Sequence, residues 1–316
     1  MLRLTGVSKK FGTHQVLNDV SFDVARGRLT GFVGGNGAGK TTTMRIVLGV
    51  LTSNTGTVTL DGHPLTGDDL RSFGYMPEER GLYPKMEISE QLSYLARLHG
   101  IDKAAATKRA DDLLDRLGLG ERRKDKLETL SLGNQQRVQV AAALVHEPDV
   151  LIMDEPFSGL DPLAVDEVVT VIAEHAARGI PVLFSSHQLE VVERLCDDLV
   201  IIAGGQIRAA GTREDLRAAH SGNRWELIAR SDSGWVRSVP GVVVEELAGD
   251  VATFTAANDA DAQLVLRKAL EYGGVDSFRP IRPSLGEIFR DIVVDAPEVS
   301  DDDATTTPAT EKEAVA

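Results

Sequence analysis

Gly34-Gly35-Asn36-Gly37-Ala38-Gly39-Lys40-Thr41-Thr42 follows directly on Thr30-Gly31-Phe32-Val33 and leads into Thr43–Val50, where Met44, Ile46, Val47 and Leu48 are apolar. The first flank reads as a short buried strand and the second as a helix opening at the loop. Gly34, Gly39, Lys40 and Thr41 stand at the offsets of a P-loop. Glycines at those offsets let backbone N–H groups turn inward around phosphate oxygens, and the helix N-terminus adds the positive end of its dipole. Lys40 would neutralise β/γ-phosphate charge and Thr41 would offer its hydroxyl to Mg²⁺. The nucleotide-binding set is then Gly34, Gly35, Asn36, Gly37, Ala38, Gly39, Lys40, Thr41 and Thr42. The pattern does not choose among ATPases, GTPases and kinases, which share this cradle.

A second element meets the same chemistry. Val150-Leu151-Ile152-Met153 follows the helix breaker Pro148 and ends in Asp154-Glu155. An uninterrupted apolar run suits a strand buried on both faces of a parallel sheet, and such sheets bind ligands beyond their C-terminal ends. Asp154 is placed to hold Mg²⁺ through water, and Glu155 to accept a proton from the attacking water.

Composition narrows the setting. The chain has 316 residues, enough for one large domain and a smaller one, and 42% of them are hydrophobic. Its apolar runs, at 149–153 and 180–184, fall far short of the roughly 20 residues that cross a bilayer, and the N-terminus has no signal-peptide pattern. Cys196 is the only cysteine, so no intramolecular disulfide and no cysteine-built metal site can form, which fits a reducing cytoplasm. A net charge of −14 argues against general nucleic-acid binding, which needs a clustered basic face. The stretch from Asp295 to Ala316, with Asp301–Asp303 and Thr305–Thr307, reads as a disordered acidic tail.

Between the loop and the acid pair lies Leu130-Ser131-Leu132-Gly133-Asn134-Gln135-Gln136-Arg137, ahead of the helical pattern Val138–Leu144. This resembles the signature of ATP-binding-cassette (ABC) proteins, usually Leu-Ser-Gly-Gly-Gln. Phe157-Ser158-Gly159-Leu160-Asp161 is similar to their D-loop, and Ser185-Ser186-His187 to their switch histidine. The motifs stand in ABC order, and the resemblance covers Leu2 to Gly211. It implies a P-loop NTPase of the α/β class: a RecA-like core, an antiparallel β subdomain and a helical subdomain. It further implies head-to-tail pairing of two cassettes, homodimeric or heterodimeric, with ATP between the P-loop of one and the signature of the other. Ser131 and Gly133 would then meet the γ-phosphate held by the partner copy, His187 would align the water with Glu155, and Asp161 would link the two sites. Phe11, in Lys10-Phe11-Gly12, matches the aromatic that stacks on adenine. The other histidines carry no role in this reading.

Three departures stand out. Gly35 replaces a proline, which loosens the loop without removing a phosphate donor. Leu132 and Asn134 replace a glycine and the glutamine of the signature. In Gly74-Tyr75-Met76-Pro77-Glu78-Glu79-Arg80-Gly81-Leu82-Tyr83-Pro84, the register of the family's Q-loop puts Glu78 where glutamine would contact Mg²⁺. A carboxylate is also a hard oxygen ligand. The alternative is a structural pair of Glu78 with Arg80. These segments, with Glu-Pro-Phe-Ser-Gly-Leu-Asp-Pro, resemble the sodium- or drug-efflux-type bacterial ABC ATPases, whose subunits partner separate permeases and work mostly as exporters.

The spacing of Leu92, Leu95, Leu98, Leu113, Leu114 and Leu117 predicts helices within a helical subdomain over about 86–145. The cassette is expected over 1–215, and a small α+β accessory domain over 222–292. In the latter, Arg224–Ala229, Val242–Leu247 and Val251–Ala256 read as strands, Ala260–Tyr272 as a helix, and Pro283–Phe289 as a final helix capped by Ser284. The resemblance implies an ATP- and Mg²⁺-dependent ATPase on the inner face of the cell membrane, driving a separate transmembrane permease, with no nucleic acid partner. Two other readings are a soluble ABC ATPase acting on nucleic acid or ribosomes, and a low-turnover regulatory ATP-binding module. The single P-loop, only about 90 residues from Ser131, argues against the first. The presence of both Glu155 and His187 argues against the second.

Overall fold

The computed structural model describes residues 1–79, 81–220 and 222–294. Arg80, and with it the Glu78–Arg80 pair, lies outside the described residues, as does the acidic segment 295–316. The chain begins β1 (Leu2–Phe11), β2 (His14–Val24), β3 (Leu29–Val33), α1 (Lys40–Val47), β4 (Thr55–Leu60), β5 (His63–Pro64), α2 (Gly67–Arg71) and β6 (Phe73–Met76). It continues with α3 (Ile88–Leu98), α4 (Lys103–Arg116), α5 (Leu132–Leu144), β7 (Val150–Met153), α6 (Pro162–Ala177), β8 (Val182–Ser186), α7 (Leu189–Leu195), β9 (Asp198–Ala203), β10 (Gln206–Thr212) and α8 (Arg213–His220). Last come β11 (Arg224–Ala229), β12 (Val242–Ala248), β13 (Val251–Ala256), α9 (Asp259–Glu271), β14 (Val275–Pro280) and α10 (Leu285–Val294).

The central six-stranded sheet has the order β10-β9-β3-β8-β7-β6. All neighbours are parallel except the β10–β9 pair. Its inner strands are short and apolar because both faces are covered. Leu151 and Met153 of β7 face the helical side, and Val150 and Ile152 face a four-stranded antiparallel sheet, β2-β1-β4-β5. β8 divides the same way, Val182 and Phe184 against Leu183. Period-two alternation thus places one strand in two cores at once. Parallel strands also end on one side, so the loops after β3, β6, β7 and β8 meet along a single edge.

The predicted helix over Thr43–Val50 starts earlier, at Lys40, and ends at Val47. Gly39, at φ 107, turns the loop straight into the helix, and Gly49, at φ 67, ends it in the left-handed region that glycine tolerates. Ser131 caps α5, its Oγ accepting the Asn134 N–H at 3.4 Å. Asp161 caps α6, accepting the Ala164 N–H at 2.9 Å, with Pro162 at the first helical position.

The C-terminal sheet, β12-β13-β11-β14, packs its Leu227 and Phe254 against Ala262, Val265 and Ala269 of α9. The last helix of the segment expected as an accessory domain packs on the larger core. Leu285 and Ile288 of α10 are buried in the core under the helical face of the central sheet, beside Val192 of α7 and Leu216 of α8. The chain returns from the small domain to the large one.

Candidate functional site

At the edge where β3, β6, β7 and β8 end lies a cleft of about 690 Å³, lined by Gly35 to Thr42, Glu78, Asp154, Glu155 and His187, with His14 and Val16 on one side. The lysine ammonium lies over the loop, Nζ donating to the carbonyls of Gly34 at 2.7 Å and Gly35 at 3.1 Å. Gly34 has no space for a side chain, since an added Cβ would sit 2.5 Å from the Ile202 carbonyl oxygen. At Gly39 it would sit 2.5 Å from Leu17 Cδ2. These glycines are dictated by close approach as well as by turn geometry.

Thr41 Oγ1 donates to Asp154 Oδ2 at 2.8 Å, joining the start of α1 to the end of β7. Asp154 is almost fully buried, and its other oxygen accepts a short hydrogen bond from Ser185 Oγ. Ser185 Oγ in turn accepts the Glu155 N–H at 2.9 Å. One serine on β8 therefore fixes both carboxylate-bearing residues. Glu155 has φ 52, unusual for a residue with a side chain, and its Oε2 is 2.9 Å from His187 Nδ1. That pairing aligns an acid ending β7 with a histidine that follows β8.

The set of hard oxygen donors suits Mg²⁺: a threonine hydroxyl, one carboxylate bonded to it, and the Glu78 carboxylate lining the same cleft. Among the described residues no cluster of three or more His, Cys, Asp or Glu could cage a metal. Mg²⁺ is ordinarily held by one or two carboxylates together with substrate phosphates and water, so the donors fit that mode.

The remaining residues singled out in the sequence lie elsewhere. Phe11 is 50% exposed, with the Lys9 ammonium 5.2 Å from its ring centroid, and it does not line the cleft. Ser131, Gly133 and Asp161 do not line it either. Gly133 lies against the D-loop, an added Cβ coming 3.2 Å from the Gly159 carbonyl oxygen. Sequence reasoning missed His14 and Val16, which reach the cleft because the β1–β2 hairpin folds back beside the loop. It also missed the double role of Ser185, although a pair of buried hydroxyls ending an apolar strand was a signal for it.

A P-loop fed by one parallel strand, with an acid pair ending another, defines a P-loop nucleoside triphosphatase. Residues 17–158 match the family described as "ABC transporter", and residues 211–293 match "ATP-binding protein DrrA1-3-like, C-terminal domain". An uncharacterised ABC transporter ATP-binding protein of Bacillus subtilis, YhaQ, is 35% identical over 92% of this chain and 97% of its own length. The chain belongs to the ATP-binding subunits of ABC transporters, and it is an ABC ATPase cassette with a DrrA-like C-terminal domain. The Nod factor export ATP-binding protein I of Ralstonia nicotianae is 36% identical, the match covering 68% of each chain. A solved ATP-binding subunit of an ABC transporter superposes with a TM-score of 0.64 at 35% identity, over 69% of this chain and 92% of the other.

Proposed function

We propose that this subunit hydrolyses ATP to drive a separate membrane-spanning permease in the export direction, through ATP-dependent pairing with a second cassette. The observation that carries the reading is the convergence of Lys40, Asp154, Glu155 and His187 on one cleft, with Glu155 Oε2 2.9 Å from His187 Nδ1. Loop amides from Gly35 to Thr42 and the N-terminus of α1 bind the phosphates, and Lys40 offsets their charge. Mg²⁺, bound with the nucleotide, would neutralise charge on phosphate oxygens, with Thr41, Asp154 and Glu78 as its protein-side donors. Glu155 takes the proton of the attacking water, and His187 holds the Glu155 carboxylate in line. Ser131 and Gly133, at the start of α5, serve the nucleotide of the partner copy. Asp161 then communicates between the two sites, and Phe11 offers its exposed ring to adenine.

Two further observations support the transport reading. A groove of about 300 Å³, lined by Tyr75, Pro77, Leu82, Leu95 and Ala142 with Gln139 and His146 at its wall, would seat a short permease helix. No helix among the described residues is long and apolar enough to cross a membrane, which agrees with a reading in which the subunit sits on the inner face of the cell membrane beside a separate permease. The export direction leans on the likeness to a Nod factor export protein.

The test is a pull-down of the tagged chain from detergent-solubilised host membranes, followed by ATPase assay of the complex. Copurification of a polytopic protein that stimulates hydrolysis is the expected result. Recovery of ribosomes or DNA-maintenance proteins alone would overturn the transport reading. For self-pairing, Glu155→Gln with ATP is expected to elute as a dimer in size-exclusion chromatography, and a persistent ATP-loaded monomer would exclude it.

A further inference from the structure

α5 buries two uncharged amides, Gln136 and Gln139, each 4% exposed, among Val138, Val140, Ala141 and Leu144. Burying an amide in an apolar core is unfavourable unless it is hydrogen-bonded, so the partners of these side chains indicate their purpose. Both Nε2 groups donate to backbone carbonyls of the segments that carry the cleft's acids. Gln136 Nε2 donates to the carbonyl of Glu155 itself, at 2.9 Å. Gln139 Nε2 donates to the carbonyl of Glu79 at 3.2 Å, with the Pro77 carbonyl at 3.5 Å. The second pair of carbonyls brackets Glu78, which turns into the cleft.

The two sites need such support. Glu155, at φ 52, adopts a conformation that persists only where its surroundings over-determine it. Its N–H is held by Ser185 and its side chain by His187, and Gln136 supplies the third restraint. Glu78 has no regular element of its own, since β6 ends at Met76.

We infer that Gln136 and Gln139 are positioning residues that hang Glu155 and Glu78 from one rigid helix, whose N-cap is Ser131. Three residues apart, they share one face of α5, so a shift of the helix moves both acids together. Gln139 also walls the 300 Å³ groove, and its Oε1 is buried with no hydrogen-bond partner among the described residues. The inference rests on the reading of Glu155 and Glu78 as working groups in hydrolysis, and the test separates the two.

Steady-state Mg·ATP hydrolysis by the full chain is measured for Gln136→Met, Gln139→Met, Glu78→Ala, Glu155→Gln and the double variant Gln139→Met/Glu78→Ala, with thermal midpoints for each. Methionine keeps the length and removes the donor. Each glutamine variant should lose about three- to tenfold in kcat, the worth of one neutral hydrogen bond, with KM for ATP nearly unchanged and the thermal midpoint lower by about 2–4 °C, so that the chain stays folded at the assay temperature. The double variant should be no slower than Glu78→Ala alone, because Gln139 acts through Glu78. Additive losses in the double variant, or losses that appear in KM rather than in kcat, would overturn the inference. Undiminished hydrolysis by Glu155→Gln would instead remove the catalytic reading on which it rests.

Discussion

Within the phosphate loop, neighbouring glycines differ in what surrounds them. An added Cβ at Gly34 meets a backbone carbonyl at 2.5 Å, whereas nothing lies within 4 Å of one at Gly35. Gly34→Ala is expected to abolish nucleotide binding and lower the thermal midpoint, and Gly35→Ala to leave both close to wild type, as nucleotide titration and calorimetry would show. The motif calls for Gly34 and leaves position 35 open, and packing gives the physical reason, a backbone carbonyl against the first and open space at the second. A second residue-scale prediction concerns His146, whose Nε2 is 3.1 Å from the Phe73 carbonyl and whose ring stacks on His99 with centroids 3.8 Å apart. Burial, then the neighbouring His99, push its pKa down to about 4 from an ordinary 6.5. Its pKa is therefore lower in the folded state, so the unfolded chain binds the proton first. Stability should be full above about pH 6.5 and decline as pH falls towards 4, by ~1–2 kcal/mol after allowance for partial solvation of the pair. Urea melts at about pH 7.5 and pH 5 should show a smaller loss in His146→Asn than in wild type. An equal loss would mean that His146 does not carry the effect.

Among the elements, α10 departs furthest from its sequence reading. Its helical pattern and Ser284 cap were legible, and Ser284 Oγ accepts the Glu287 N–H at 3.1 Å. Its partner was not, because apolar spacing defines a face without saying what covers it. The N-terminus of α10 meets Glu193 of α7, which accepts the Leu285 N–H at 3.4 Å and also pairs with Arg217 of α8. Ile288→Ala should therefore destabilise the cassette itself, by about 2–5 kcal/mol in urea melts, through the cavity it leaves. Leu270→Ala, on the 61% exposed face of α9, should cost under about 0.5 kcal/mol. Comparable losses at the two positions would contradict the placement of α10. The α5 reading had a similar limit. Its glutamines fall where periodicity calls for buried residues, a polar break that was visible, but their partners are 19 and 60 residues away in sequence.

For the whole molecule, the signature end of α5 and the D-loop end of α6 lie side by side, and they expose Leu132 (60%) and Leu163 (70%). Under the proposed pairing these leucines meet the partner copy. Leu163→Arg in a Glu155→Gln background should weaken the ATP-trapped dimer at least tenfold by analytical ultracentrifugation, without shifting the thermal midpoint of the monomer. An unchanged dimer would place the interface elsewhere. By itself the sequence determined the phosphate loop, the acid pair, the order of the motifs and the two-sided burial of the sheet. Each of these is written in neighbouring residues, as close spacing of glycines or as an alternating or continuous apolar run. Tertiary structure alone decided that His14 and Val16 wall the cleft, that Ser185 ties Asp154 to Glu155, that Gln136 and Gln139 donate to the carbonyls of Glu155 and Glu79, and that Leu285 and Ile288 of α10 pack into the core beside α7 and α8. Those contacts join residues far apart in the chain, where side-chain periodicity gives each element a buried face and only the packing of all elements together chooses what that face meets.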